Sequence, residues 1–350
     1  MITSGDQSSH VPVIVLNWNG IDDTIECISS ALNLDYPDFK IYLLDNGSDN
    51  QEGIRLRDTY QAEERVEVRL LRENLGFTHA HILMVKELQQ LPIRYIALLN
   101  NDTVVDRNWL SELVRVGNGE DAGVVSSKLV YYYNRNKLDN IGHQMLTTGE
   151  IVPIGYAAEQ KKYADVQINF GSCAGATLYS VSMIKQIGFF DPYFSTGYED
   201  AEFGARALVT GFKCVLAPGA IAYHKVSRSV SKVSDESYEL MIRDATWYTF
   251  LKLMPMGVLI IAAPVILIKT ILLVLLNLVT GRAQENRLML ASLRATFTLH
   301  RNAIKQSRRR FQEDHDLLSP FQILARQTFF LRFDLKRVWQ IWFARSAKLG

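Results

Sequence analysis

Val11-Pro-Val-Ile-Val-Leu16 runs straight into Asn17-Trp-Asn-Gly20: an unbroken apolar run, then a polar turn. An apolar run without polar alternation predicts a strand buried on both faces, as in a parallel sheet covered by helices. The pattern then repeats. Asp22 and Asp23 stand where they can cap a helix whose Ile25, Ile28, Ala31 and Leu32 share one face. A second strand, Lys40-Ile-Tyr-Leu-Leu44, ends in Asp45-Asn-Gly-Ser-Asp-Asn50, and a polar helix is expected over 52–64. A strand over 66–71 and a helix over 77–89 lead to Arg94-Tyr-Ile-Ala-Leu-Leu99, which stops at Asn100-Asn-Asp102. Strands and helices alternating across short loops predict an α/β fold with a parallel, doubly wound sheet. Ligands of such sheets bind beyond the carboxyl ends of the strands, and here each strand ends in polar residues.

Beyond residue 120 the pattern is mixed. Strands are expected over 124–133, 168–178 and 213–222, a loop-rich stretch over 141–163, and helices over 183–188 and 199–210, the last stopped by Gly211. A boundary is expected near 235–250. The 350 residues are 48% apolar and 21% charged, a globular composition. Charge is unevenly spread: residues 281–350 carry 14 Lys and Arg against 5 acids, so the net +1 of the chain divides into +9 there and −8 before it. An acidic body with a basic tail implies two tasks. Cys27, Cys173 and Cys214 form no CxxC pair, which excludes a disulfide framework and a cysteine zinc site and fits a reducing, cytosolic setting. Met1 to His10 is polar, with no charged-then-apolar leader.

Three clusters carry chemistry. Asp102 follows a buried strand, where a carboxylate suits a divalent cation bridging a diphosphate; the plain alternative is a polar turn. Tyr198-Glu-Asp-Ala-Glu202 opens a helix with three carboxylates. The helix dipole favours acids there, but Ser195-Thr-Gly197 already offers capping groups, so the crowding points to a cation or a proton transfer. His224 follows the last strand and is either a structural histidine or a metal ligand.

Val13-Ile-Val-Leu-Asn-Trp-Asn-Gly20, Leu44-Asp-Asn-Gly-Ser48, Asn74-Leu-Gly-Phe77, Leu98-Leu-Asn-Asn-Asp-Thr103, Tyr198-Glu-Asp-Ala-Glu202 and His224 follow one another in order. Together they resemble the family 2 glycosyltransferases of the GT-A fold, particularly the rhamnosyltransferase-like and galactofuranosyltransferase-like branch. The resemblance implies a catalytic domain over 1–245, with Asp45 bonding the pyrimidine of a sugar nucleotide. Asn17 and Asn19 line the nucleotide, and Asn74 and Asn101 belong to further substrate-binding motifs. Asp102 and His224 are implied ligands of Mn²⁺ or Mg²⁺, Asp200 the catalytic base of the Glu-Asp pair, and Glu199 its catalytic neighbour that orients or hydrogen-bonds substrate. Glu202 is implied to orient substrate. Two positions depart from the family pattern: Asn100 replaces the first acid of its Asp-x-Asp, and Thr78-His-Ala-His81 follows Phe77. The implied reaction is inverting, metal-dependent sugar transfer from a UDP- or dTDP-sugar to a hydroxyl of a glycan or lipid-linked glycan. Two other classes compete: a sugar-phosphate nucleotidyltransferase, disfavoured because Asn17-Trp-Asn-Gly20 lacks a basic residue for triphosphate, and a non-catalytic binding module.

In the expected membrane-associating region, 246–350, residues 256–279 are apolar except for Lys269, Thr270 and Asn277, and Pro264 interrupts them. Arg287, Arg294, Arg301 and Arg308 then recur every seven residues. An anionic membrane surface on the cytoplasmic side, contacted by residues 250–350, is the expected partner, rather than RNA or another nucleic acid. A kinked, re-entrant or interfacial segment fits better than a straight span, which would put the basic tail outside. The alternative is a helix buried in a homo-oligomer interface.

Overall fold

A computed structural model of the chain describes residues 9–165, 167–226 and 236–331. The chain forms two compact units, 1–143 with 153–238, and 144–152 with 239–350. The hairpin 144–152, expected within the first domain, thus groups with the C-terminal helices.

The first unit opens with β1 (Val11–Asn17), α1 (Ile21–Ala31), β2 (Phe39–Asp45), α2 (Glu52–Tyr60), β3 (Val66–Leu70), α3 (Gly76–Leu88) and β4 (Tyr95–Asn100). It continues through β5 (Thr103–Val105), α4 (Trp109–Glu120), β6 (Val124–Tyr131) and β7 (Leu138–Asn140). After β8 (His143–Met145) and β9 (Ile151–Pro153), which pair with each other, come β10 (Gln167–Asn169), β11 (Ala176–Ser180), α5 (Val181–Ile187), α6 (Glu199–Val209) and β12 (Cys214–His224). The main sheet has the order β10-β12-β6-β11-β4-β1-β2-β3, with β5 on β12 and β7 on β6. β1 pairs in parallel with β2 and β4, β2 with β3, and β12 with β6, while β11 runs antiparallel between β4 and β6.

The apolar strands are buried on both faces because side chains alternate across the sheet. Val11, Val13 and Val15, with Tyr95, Ala97 and Leu99, join the core formed with α1 and α4. Ile14, with Ile96 and Leu98, joins the opposite core formed with α3, α5 and α6. Trp109 anchors α4, fully buried with its indole N–H on Ser127 Oγ at 2.7 Å.

Three local expectations change. The stretch expected as one strand over 168–178 forms two, on different neighbours, and between them Gly171 packs against Gly204 too closely for a side chain (a Cβ there would lie 2.8 Å from Gly204 Cα). The N-cap of α1 is Gly20, so Asp22 and Asp23 lie in the first turn instead of capping it. Tyr198 is the N-cap of α6, at φ 85°, and Ser195 and Thr196 supply no cap bond.

The second unit contains most of α7 (Glu236–Leu253), then α8 (Met256–Val279), α9 (Ala283–Thr298), α10 (Arg301–Asp314) and α11 (Pro320–Arg326). The arginine series does not form one stripe. The chain turns at Leu299 and His300 between α9 and α10. Arg308 is turned inward, donating to the carbonyls of Leu251 (2.6 Å) and Met254 (2.7 Å). Residues 332–350, which hold part of the expected basic, aromatic end, lie outside the described residues.

Candidate active site

The parallel strands end together, and their last residues form a polar ledge. Asn17 and Asp45 are in register at the ends of β1 and β2. Asn17 Nδ2 donates to Asp45 Oδ1 at 2.8 Å and to Ser48 Oγ at 3.1 Å. Its own Oδ1 accepts from Thr24 Oγ1 at 2.7 Å, and Thr24 accepts from Asn101 Nδ2 at 2.9 Å. Asp45 also accepts from Ser48 Oγ at 2.6 Å and Ser48 N–H at 3.2 Å. A Cβ on Gly53 would sit 2.6 Å from Asp45 Oδ2, so glycine lets α2 rest against the carboxylate.

Asn19 and Asn74 serve the loops. Asn19, in the left-handed region (φ 51°), donates to Asp49 Oδ2 at 3.0 Å and accepts from Asp49 N–H at 2.7 Å. Asn74 Oδ1 accepts from Asn46 Nδ2 at 2.9 Å and Gly76 N–H at 2.7 Å, tying the loop after β3 to the loop after β2. Buried Asn46, unassigned from sequence, also accepts from Leu75 N–H at 2.9 Å.

At the far end of the ledge, His224 closes β12. Its Nε2 lies 3.2 Å from Asp102 Oδ1 and its Nδ1 2.7 Å from Asp139 Oδ2. Burial opposes charge on this imidazole, but the two carboxylates outweigh it and lift its pKa to about 10. Asp139, on β7, escaped the sequence reading because only the β6–β7 pairing brings it here. Among the described residues no cluster of three or more histidines, cysteines or acids is arranged to hold a metal. The pair Asp102 and His224 nevertheless suits a divalent cation. Two neighbouring ligands of an octahedral ion at about 2.1 Å stand about 3 Å apart, close to the Oδ1–Nε2 spacing. Asp139 would then orient the ring through Nδ1–H, as carboxylates do for ligating imidazoles. Binding would displace the proton that the two acids now hold on His224.

The first turn of α6 supplies the third group. β11 is antiparallel, so its start lies at the same ledge, and Ala174 N–H just before it donates to Asp200 Oδ2 at 3.0 Å. Asp200 Oδ1 accepts from Ala201 N–H at 2.7 Å, leaving the carboxylate half-exposed. Glu199 is buried, its Oε2 without a hydrogen-bond partner. Burial and then the charge of Asp200 push its pKa up to about 8. Half-buried Cys173 feels Asp200, Asp139 and Glu199 together, which brings the acids of α6 and the His224 cluster into one neighbourhood.

Glu202 does not join them. It is fully buried, and Arg206 Nε donates to its two oxygens at 3.0 and 2.9 Å. The same arginine donates to the carbonyls of Ile187 and Phe189, so Glu202 secures α6 from inside instead of meeting a substrate. Asp23 likewise works as a brace: with Glu26 it pairs Lys225, each at 2.5 Å, and so ties α1 to the residue after His224.

Residues 13–188 match the model of glycosyl transferase family 2. The match ends before Glu199, Asp200 and His224. The chain is 25% identical over 203 residues to the uncharacterized protein y4gI of Sinorhizobium fredii (strain NBRC 101917 / NGR234), across 55% of this chain and 22% of that protein. The chain thus spans about a fifth of that curated relative. Its fold is similar to the crystal structure of GalNAc-T7 with UDP, GalNAc and Mn²⁺, with TM-score 0.55 at 14% identity, over 69% of this chain and 50% of the other. The first unit therefore has the mixed α/β GT-A fold.

Proposed function

The chain belongs to glycosyl transferase family 2, and on that premise we propose that it moves a sugar, with inversion, from a nucleoside-diphosphate sugar to a hydroxyl of a glycan. The observation that carries this reading is the ledge itself: Asn17–Asp45 at one end, Asp102–His224–Asp139 at the other, and Asp200 beside them on α6. GalNAc-T7, a structural neighbour, was crystallised with UDP, GalNAc and Mn²⁺, which supports a donor of the UDP or dTDP type. A rhamnosyltransferase-like or galactofuranosyltransferase-like specificity remains part of the proposal, resting on motif order alone.

Asp45, fixed by Asn17 and Ser48, accepts a hydrogen bond from the pyrimidine. Asn19, Asn74 and Asn101 hold the loops that enclose the nucleotide. Asp102 and His224 would hold Mn²⁺ or Mg²⁺, which neutralises charge on the diphosphate and improves it as a leaving group. Asp200 takes the proton of the acceptor hydroxyl as that oxygen bonds the anomeric carbon and the bond to the diphosphate breaks. Glu199, kept protonated by burial, offers no competing anion. One base and no enzyme nucleophile make a single displacement, hence inversion.

Membrane attachment through the second unit, on the cytoplasmic side where sugar nucleotides are made, makes a lipid-linked glycan the proposed acceptor. The test is a panel of UDP-, dTDP- and GDP-sugars incubated with full-length protein, with Mn²⁺, Mg²⁺ or chelator. Metal-dependent nucleotide release from one donor class supports the proposal. No release from any of them, with the acceptor-bearing membranes present, overturns it.

A further inference from the structure

α8 is long and apolar enough to cross a membrane, and only 17% of its most apolar stretch is buried. Contacts inside the second unit decide how it meets one. α7 precedes α8 and α9 follows it, so a spanning α8 would hold them on opposite sides of the bilayer. Yet they are joined: Arg243 of α7 pairs with Glu285 of α9 at 2.6 Å, and Ser292 Oγ of α9 donates to Asp244 of α7 at 2.5 Å. At mid-helix, Lys269 Nζ meets Glu150 of the hairpin 144–152 at 2.6 Å and is only 10% exposed. A spanning α8 would carry this carboxylate and the hairpin backbone into hydrocarbon, where lipid-exposed irregular chain is not tolerated.

The opposite face of α8 is different. Ile260, Ile261, Leu267, Ile268, Ile271, Leu272, Leu275 and Leu278 are each 44–66% exposed and recur at helical spacing along one side. On α9, a shallow groove of about 520 Å³ is lined by residues that include Arg287, Leu290, Arg294, Thr298 and Leu299. Neither arginine has an acidic partner among the described residues, and Leu290 and Leu299 are 68% and 78% exposed. Unpaired guanidinium groups flanked by exposed leucines match the phosphates and upper acyl chains of lipid.

We infer that α8 lies in the plane of an anionic bilayer, its apolar stripe in the acyl layer, with Arg287 and Arg294 binding lipid phosphates. Lys269–Glu150 and Arg243–Glu285 hold the other face to the protein. This deepens the membrane attachment proposed above, and the tests separate the two.

The first measurement is flotation of the full-length protein with vesicles of phosphatidylcholine, alone or mixed with phosphatidylglycerol. The protein should float with both and bind more tightly to the mixture. The double substitution Arg287→Ala, Arg294→Ala should weaken binding to the mixture by roughly 10–30-fold and leave nucleotide release in detergent unchanged. Equal binding of variant and parent would overturn the lipid-phosphate site. The second uses Met256→Cys and Ala283→Cys, at the two ends of α8, in sealed membrane vesicles of either orientation, each compared with the parent for labelling by an impermeant maleimide. Both should label from the same side; labelling from opposite sides means a span and overturns the in-plane arrangement while leaving attachment intact. Protein that ignores all vesicles and sediments as an oligomer would assign the stripe to a second copy, overturning attachment as well.

Discussion

The two ends of the polar ledge are built from the same residue types in opposite conditions. At the end proposed for the nucleotide, Asn17, Thr24, Asp45, Ser48 and Asn101 hydrogen-bond one another across three strands and α1. Near α6, Glu199 Oε2 and His143 Nδ1 are buried without hydrogen-bond partners, and Glu199 is pushed toward neutrality. A satisfied network fixes one geometry before ligand arrives. Unsatisfied buried groups cost folding free energy, and such strain is commonly kept where chemistry is done. On the proposed function, the first end holds the nucleotide and the second does the chemistry.

That contrast can be broken most directly at Asp200. Asp200→Asn keeps the bonds from Ala174 and Ala201 within reach but cannot take a proton. Single-turnover transfer should fall by about 10²–10⁴-fold with nucleotide affinity unchanged. Loss of affinity instead, with the chemical step intact, would mean that the α6 end binds and does not react. Glu202 probes the support beneath it. Glu202→Ala leaves Arg206 buried and unpaired, so denaturant unfolding should show a loss of about 3–5 kcal/mol. A variant of native stability that had lost only acceptor binding would restore the substrate role expected from sequence.

Asp139 belongs to the His224 cluster at the far end. Asp139→Ala should raise the Mn²⁺ concentration needed for half-maximal nucleotide release by about 10–100-fold; an unchanged requirement would detach His224 from the metal. At the satisfied end, Gly53→Ala drives a methyl into Asp45. Calorimetric titration with the nucleoside diphosphate should lose about 1–3 kcal/mol, and unaltered affinity would show that Asp45 does not contact the base. The smallest effect concerns Glu199. Its folded pKa of about 8 stands above the ordinary 4.5 of a free carboxyl, so the unfolded chain releases this proton first as pH rises. The stability this group contributes is complete below pH 4.5 and is lost as pH climbs through 8. Glu199→Gln should therefore match the parent in melting temperature at pH 4 and exceed it at pH 8. A parent advantage at pH 8 would mean that Glu199 is ionised and held by a cation or a donor.

The nucleotide end was the more legible in sequence. Asn17, Asp45 and Asn101 each directly follow or end an apolar run, and parallel pairing places strand ends side by side. Asp139 was not legible, because β7 is three residues long and lies in a stretch without periodicity. Glu202 misled for another reason. Three acids in a helix's first turn look alike in one dimension, whereas helical rotation turns Glu202 inward onto Arg206, four residues on. The α4 segment carried its signal in Trp109, Leu110, Leu113 and Val116, apolar residues at helical spacing that become its buried face. The heptad of arginines predicted one face only so long as the helix stayed continuous, and the turn at Leu299 and His300 ended that.

By itself, then, the order of apolar runs and polar stops determined the parallel strands, the edge at which their polar ends gather, and one long apolar segment. Those features follow from local periodicity and from burial of uninterrupted apolar strands, which any partner arrangement must respect. Tertiary structure alone decided that His224 stands between Asp102 and Asp139, that Glu199 is buried beside half-exposed Asp200, and that α7 and α9 meet across α8. The first and the last depend on groups tens of residues apart reaching hydrogen-bond distance, and the second on how the first turn of α6 is packed; in all three, burial and neighbouring charge, not residue type, set what a side chain can do.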